Sequence, residues 1–508
     1  MSTDRLRGAQ RRLVLGVCVV AGAAYLQPAT YNYLVNPMLV SFSASQGAAA
    51  PLREVPSIAS LLVIFLAAVL ATRFGTRRTV SAAAAGLFVG SIVVAASPSL
   101  VVAVVGLSVQ AAAATVLLVV PLAVIGAAVA SPGARASAFA IFSMISPLVF
   151  VLLPVLAAVL MEHATWRVVA GIWAVGALAA WIVGRASLPP DQADLPHVEL
   201  LTPLLAGIAC VGVVQTVSHV ASDGLLSSST LVRLGIAVVS LALVGLRLRS
   251  PAVSLDVALL RTRGMVLLLA VIALWCFTQL WYYMTLAYEY VFGLSVVVTA
   301  LLMVPAQACA AIGARAAGRM VKRFGVSSTG FWLLIATGVS LGLSMLVRLD
   351  SPLWWPVLVT CLYSFASVGA GVPMTNALMD SAGPGTENSA SAYRQAAISV
   401  GTAVGITLIS WLVFGVFSAS LSANLEVAGQ DTALAQQIAA DLRTGTTTTT
   451  EAAAYAVPLD DVQSINAAQQ RAYLDGMAAH GLAGMLLSLG TAALFWASHP
   501  GRRTAGKH

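Results

Sequence analysis

The sequence predicts an all-α polytopic membrane protein: two six-helix bundles with two further helices inserted between them, about fourteen transmembrane helices in total. Three observations predict it. Hydrophobic residues make up 59% of the 508 and charged residues only 9%, with a mean hydropathy of +0.91, whereas a soluble protein carries about 25% charge. The apolar runs are mostly about 18 to 28 residues long, which suits the roughly 20 residues that cross about 30 Å of hydrocarbon; the alternating ten-residue pattern of a barrel is absent. Finally, Arg73-Phe74-Gly75 recurs as Arg323-Phe324-Gly325 about 250 residues later. Each copy lies in a basic gap between two apolar runs, as an internal duplication of helix, turn and helix requires.

Taken in order, the spans fall near 13–39, 55–72, 79–97, 100–130, 137–160 and 167–186, then 201–222 and 229–248, then 264–290, 295–316, 328–347, 353–379, 390–418 and 476–497. The first run is too long for the apolar part of a signal peptide and is followed by more spans, so it reads as a mature helix. A polar stretch from Pro189-Pro190-Asp191 to Glu199 ends the first six spans, and Leu255-Asp256 to Arg263 forms a second hinge. The chain divides into an N-terminal bundle (1–188), a linker with two inserted spans (189–250) and a C-terminal bundle (251–508). Two inserted helices account for the 250-residue offset of the repeat. The loop at 419–475 carries seven acids against two arginines. With helix-like stretches at 431–443 and 460–475 around the Thr446–Thr450 run, it reads as a solvated external connector rather than a cap.

Ionisable groups at bilayer depth cost at least about 2.5 kcal/mol each and mark functional sites by default. In span one, Tyr25, Asn32 and Asn36 share a face, and Pro28 is placed to kink the helix. In span nine, at 100° per residue, Trp275, Gln279, Tyr282 and Glu289 fall on one polar-aromatic face, while Phe277, Trp281 and Tyr288 point to the lipid side. Span thirteen carries Glu387, Ser391, Arg394, Gln395 and Thr402 on one stripe. Arg394 has open readings: binding an anionic group, pairing with Asp380 or Glu387 as a gate, or snorkelling to headgroups. Gln110, Gln215, Gln307 and Asn376 are weaker candidates for a cavity wall. Glu289, His219 and Arg394 are the candidates for carrying a coupled proton; Glu289 reads equally as an interfacial carboxylate in water, and for His219, near a span's outer end, a wetted surface position is the plainer reading.

Charge sets the orientation. With the N-terminus inside, twenty basic residues fall in cytoplasmic segments and six outside, which places both termini in the cytoplasm of a multi-pass plasma (inner) membrane protein. The net charge of +8 is therefore topological; no basic run interleaved with aromatics suggests nucleic acid. The five cysteines are scattered through spans without a CxxC pair, as packing residues rather than disulfides or zinc ligands. No Walker-type phosphate loop, metal set or acid–base pair suggests an enzyme or a cofactor.

Several of these motifs resemble the major facilitator superfamily, and in particular its fourteen-helix drug:proton antiporter branch. The loop after span two is similar to that family's G-x-L-x-D-R-x-G-R-R turn, kept as Arg73, Gly75, Arg77 and Arg78, and the second copy keeps Gly318, Arg323 and Gly325. Glycine permits the tight turn and the arginines face helix dipoles and headgroups. Trp166-Arg167 and the stretch Leu26 to Asn32 extend the likeness. Departures accompany it: Gln27 and Leu107 stand where the family has the aspartate of span one and the arginine of span four, and Ser146-Pro147-Leu148-Val149-Phe150-Val151 keeps only the proline of the glycine-rich antiporter motif. What the resemblance implies is a monomeric carrier of a small-molecule substrate, exporting amphipathic or hydrophobic compounds by alternating access, with proton coupling left open by those departures. A dedicated metabolite or lipid carrier, and a transport-inactive sensor or scaffold, are the alternatives.

Overall fold

The computed structural model describes residues 8–44, 49–129, 131–191, 199–248, 256–427, 429, 432–434, 436–438 and 458–498. The Thr446–Thr450 run, most of the polar linker before Glu199 and the basic residues at both chain ends lie outside the described residues. The N-terminal set comprises α1 Gly8–Ser41, α2 Ala49–Phe74, α3 Thr76–Ala95, α4 Leu100–Ala128, α5 Pro132–Ser143, α6 Ile145–His163 and α7 Trp166–Ser187. Helices α8 Leu201–Asp223 and α9 Ser228–Arg247 form the inserted pair. The C-terminal set begins with α10 Ala258–Arg261, α11 Arg263–Trp275, α12 Leu280–Tyr290 and α13 Val296–Phe324. It ends with α14 Val326–Ser344, α15 Trp354–Ala382, α16 Glu387–Val427 and α17 Leu459–Ser498.

These helices supply 14 stretches long and apolar enough to cross a membrane, with α5–α6 and α11–α12 each forming one interrupted span. Local chemistry sets several of the starts. Ser99, Ser131, Ser227 and Ser295 each accept a hydrogen bond from the backbone N–H three residues on, capping α4, α5, α9 and α13, and Pro132 occupies the first turn of α5, where no N–H is needed. The interruption at Met144 has a plain cause: Pro147 lacks an N–H, and its ring crowds the carbonyl of Ser143 four residues back.

The same packing scheme appears twice. Helix α4 lies against α2 and α3, and α3 against α7; in the C-terminal set α15 lies against α13 and α14, and α14 against α17. The inserted pair sits at the seam, with α8 against both α2 and α16 and α9 packed on α8. Three apolar clusters follow this layout. One belongs to the outer N-terminal helices, around Leu34, Trp166 and Trp173, and one to the outer C-terminal helices, around Tyr288, Tyr363 and Tyr473. The third spans both sets through Phe139, Met379 and Tyr393, at the end that carries the basic turns.

The observed spans match the expected ones in number, and the ends differ where polar residues ride on a continuing helix. Helix α13 runs on to Phe324 through Arg315, Arg319 and Lys322. Helices α16 and α17 have 41 and 40 residues, about 60 Å each at 1.5 Å per residue, or twice the hydrocarbon thickness. Their far ends do not form the solvated connector expected at 419–475. Leu421, Leu425, Ile438, Val462 and Ile465 are buried against the outer C-terminal cluster, and Gln436 donates to Ser422 at 2.8 Å.

Candidate functional site

The two copies of the repeated turn fold alike. Gly75 (φ 89°, ψ 150°) and Gly325 (φ 82°, ψ 169°) each end one helix and start the next, in a region of backbone space open essentially to glycine alone. The arginine two residues before each lies over the ring of its phenylalanine, at 5.2 Å for Arg73–Phe74 and 5.1 Å for Arg323–Phe324. The copies differ in their caps. In the first, the carboxylate of Asp191 accepts from the backbone of Arg77 (2.9 Å) and Arg78 (3.0 Å), so the linker supplies the negative charge that the N-terminus of α3 attracts.

Gly318, two turns before the second copy, has a different task. A Cβ there would lie 2.7 Å from that of Ala140 on α5, so the glycine lets α13 approach the N-terminal helices closely. Around this contact the halves are pinned together: Arg135 donates to Asn376 Oδ1 at 3.0 Å and forms an ion pair with Asp380. Ser391 donates to the carbonyl of Val119 at 2.6 Å, and Asn388 to Thr72 at 3.4 Å. Among the described residues, these hydrogen bonds between the two helix sets all lie at the basic-turn end.

Above that seal is a cavity of about 400 Å³ bounded by both sets. From the N-terminal side come Tyr25 and, flanking the break at Met144, Phe142, Ser143, Ser146 and Phe150. From the C-terminal side come Trp275, Gln279, Trp281, Gln307, Tyr363 and Arg394. The break at Cys276–Gln279 builds this wall. Between α11 and α12 the helical ladder lapses, and the freed carbonyl of Thr278 accepts from the hydroxyl of Tyr363; backbone of this kind is tolerated at membrane depth where it is buried in protein or lines a cavity. Trp275 donates its indole N–H to Ser367 (3.0 Å) and Trp281 to Ser364 (2.7 Å).

The break also corrects the face assigned to span nine. The rotation per residue does not carry through an interruption, so Trp281 lines the cavity and Tyr288 is fully buried in the C-terminal cluster, not turned to lipid. Tyr282 is 44% exposed and packs edge-on to Tyr283, outside the cavity lining, as is Glu289. Of the other candidates, Tyr25, Trp275, Gln279 and Arg394 converge on the cavity. Gln110 is buried between α3 and α4, donating to Ser91 at 2.7 Å, and Asn376 belongs to the seal. Asn36 is exposed on α1, and the side chain of Asn32 lies outside the described residues. His219 is on α8, its ring nitrogen 2.9 Å from the carbonyl of Gln215. Sequence reasoning missed Trp281, Tyr363 and the α5–α6 wall. The signal for the last was Pro147, read as a motif remnant when it also marks a kink.

Arg394 is the only charged side chain lining the cavity among the described residues. Its Nε donates to Thr375 at 2.9 Å. Asp380, one of the two carboxylates that the sequence offered it, is taken by Arg135, and no described carboxylate pairs with Arg394.

A two-halved helical bundle enclosing a central cavity has the architecture of a membrane carrier. A model of the Major Facilitator Superfamily matches residues 13–406, and the chain belongs to that superfamily. No curated protein matches it in sequence. Among solved structures, it is similar to the human organic anion transporter MFSD10 (TETRAN), at 13% identity, with 96% of this chain and 100% of that one covered and a TM-score of 0.62. A bacterial homologue of the iron transporter ferroportin, in an outward-facing state with soaked iron, matches at 12% identity over 96% and 99% of the two chains, with a TM-score of 0.57. The proton:xylose symporter XylE bound to 6-bromo-6-deoxy-D-glucose matches at 14% identity over 80% and 89%, with a TM-score of 0.55.

Proposed function

We propose that this protein is a secondary active transporter that exports amphipathic or hydrophobic small molecules by alternating access, a drug-efflux-like carrier of the fourteen-helix branch that the basic turns resemble. The observation that carries the reading is the central cavity itself: both helix sets wall it, aromatic and amide groups line it, and among the described residues the bonds across the seam sit at one end. A volume of about 400 Å³ falls within the range of small-molecule sites. The twenty-to-six bias of basic residues supports a plasma membrane orientation with the sealed end and both termini cytoplasmic, so the arrangement reads as closed inward. The working unit is taken as the single chain, whose own two halves bound the cavity. The similar carriers act on an organic anion, iron and xylose by name, a spread that supports small solutes in general and no one of them.

Proteoliposomes loaded with an environment-sensitive hydrophobic dye test the reading. Substrate-driven flux is expected from the wild type and a loss of at least tenfold from Trp275→Ala combined with Trp281→Ala; flux equal to that of empty liposomes ends the proposal. The proton arm has its own test. A pH jump that leaves the flux unchanged removes it, and Glu289→Gln examines the acid nearest the outer mouth as its carrier.

A further inference from the structure

Two arginines of this molecule, the buried Arg135 and the half-buried Arg394, are treated in opposite ways. Arg135 at the seal is held by Asn376 and Asp380. Arg394 faces the cavity with only its Nε bonded, to the neutral hydroxyl of Thr375. A guanidinium offers five N–H donors in a planar fork, so the outer edge of this fork, four donors, makes no hydrogen bond to any described residue. Leaving a cation in that state at membrane depth is costly, and a fork of this shape matches a carboxylate or sulfonate with two parallel bonds. Among the described residues, no carboxylate lines the cavity to compete for it.

The remaining wall describes the rest of the ligand. The indole N–H groups of Trp275 and Trp281 and the hydroxyl of Tyr363 are already spent on Ser367, Ser364 and Thr278, so these rings present apolar faces. Polar reach other than Arg394 comes from neutral amides and hydroxyls such as Gln279, Gln307 and Ser143.

We infer that the transported molecule is an organic anion: an amphipathic compound with one carboxylate or sulfonate seated on Arg394 and an apolar body against Trp275, Trp281 and Tyr363. This deepens the transport reading above and rests on it for the cargo's class, while the binding prediction stands on the cavity alone.

The test compares three probes of similar size, 1-naphthylacetate, its methyl ester and 1-naphthylmethylamine, by quenching of tryptophan fluorescence in phosphatidylcholine proteoliposomes. Wild-type protein is expected to bind the acid at least tenfold more tightly than the ester and not to bind the amine. In Arg394→Gln the preference for the acid over the ester disappears; in Arg394→Lys part of it returns, since the charge remains but the fork is lost. Equal binding of acid and ester by the wild type, tighter binding of the amine, or no binding of any probe overturns the inference without need of a variant, so misfolding of Arg394→Gln does not shield it. Repeating the measurement with phosphatidylglycerol in the liposomes is expected to leave the acid's affinity unchanged; displacement would assign Arg394 to a lipid headgroup and overturn the proposal. Selective binding of the acid with no flux of it would leave the site standing and sink the transport reading instead.

Discussion

At the scale of single residues, the contrast between Arg135 and Arg394 organises the molecule. Arg135 has a side chain only 9% exposed and Asp380 one that is 35% exposed, so the pair is partly desolvated and worth more than a surface ion pair. Asp380→Asn leaves the guanidinium buried without its anion, and we expect it to weaken the sealed arrangement by about 1–3 kcal/mol, roughly 5- to 150-fold in the balance of states. Labelling of Ser391→Cys by an impermeant maleimide from the basic-turn side, in a chain freed of its five native cysteines, reads this directly; an unchanged rate would mean that the pair does not hold the seal. The turn glycines make a graded pair of tests. Gly325→Ala forces a Cβ into backbone space that costs about 1–3 kcal/mol. Gly75→Ala pays the same and also drives its Cβ within 2.2 Å of the Asp191 carboxyl carbon, disturbing a cap worth about 1 kcal/mol. Thermal unfolding in detergent should therefore rank the wild type above Gly325→Ala, and that above Gly75→Ala.

At the scale of elements, the close approach of α13 to α5 through Gly318 is part of the sealed arrangement. Gly318→Leu is expected to fold, since the atoms nearest an added Cβ, on Ala140, Ala136 and Ser137, all belong to α5 of the other set, yet to abolish net flux while raising maleimide access to the cavity from the basic-turn side. Unimpaired flux would show that the contact is incidental. This is also the scale at which the sequence was readable and then ceased to be. All fourteen spans are visible because a run of apolar residues must be helical in lipid, and the kink at Met144 is written in Pro147. The break at Cys276–Gln279 is not written anywhere nearby: the segment has no glycine or proline, and the lapse is stabilised by Tyr363, 85 residues further on. A constant rotation per residue therefore turns Trp281 and Tyr288 to the lipid side, whereas the structure has the first at the cavity and the second in the C-terminal core. The helix-like stretch at 460–475 is legible in the sequence; what is not is that it runs unbroken into the last span and packs on protein, since no hydropathy window detects an amphipathic helix beyond the membrane.

For the whole molecule, the proposed alternating access demands that the seam at Thr72 and Asn388, whose side chains lie 3.4 Å apart, open and close in every cycle. Joining Thr72→Cys to Asn388→Cys with a short bis-methanethiosulfonate is expected to halt flux, and a reducing agent to restore it. Continued flux in the cross-linked protein would leave the rocking scheme without support. The cavity charge belongs to this scale too, since only an assembly of both halves surrounds Arg394 with a wall lacking carboxylates.

The twinned ends of α16 and α17, which run on beyond hydrocarbon depth, have a practical consequence. They form a stiff mast on one half of an otherwise near-symmetrical body, fastened to the core by Leu425, Val462 and Ile465. An antibody fragment gripping the mast would break the pseudo-symmetry that hampers particle alignment in electron microscopy. Because the mast is rigidly joined to its own half, its tilt against the membrane plane would report each rocking step as an angle.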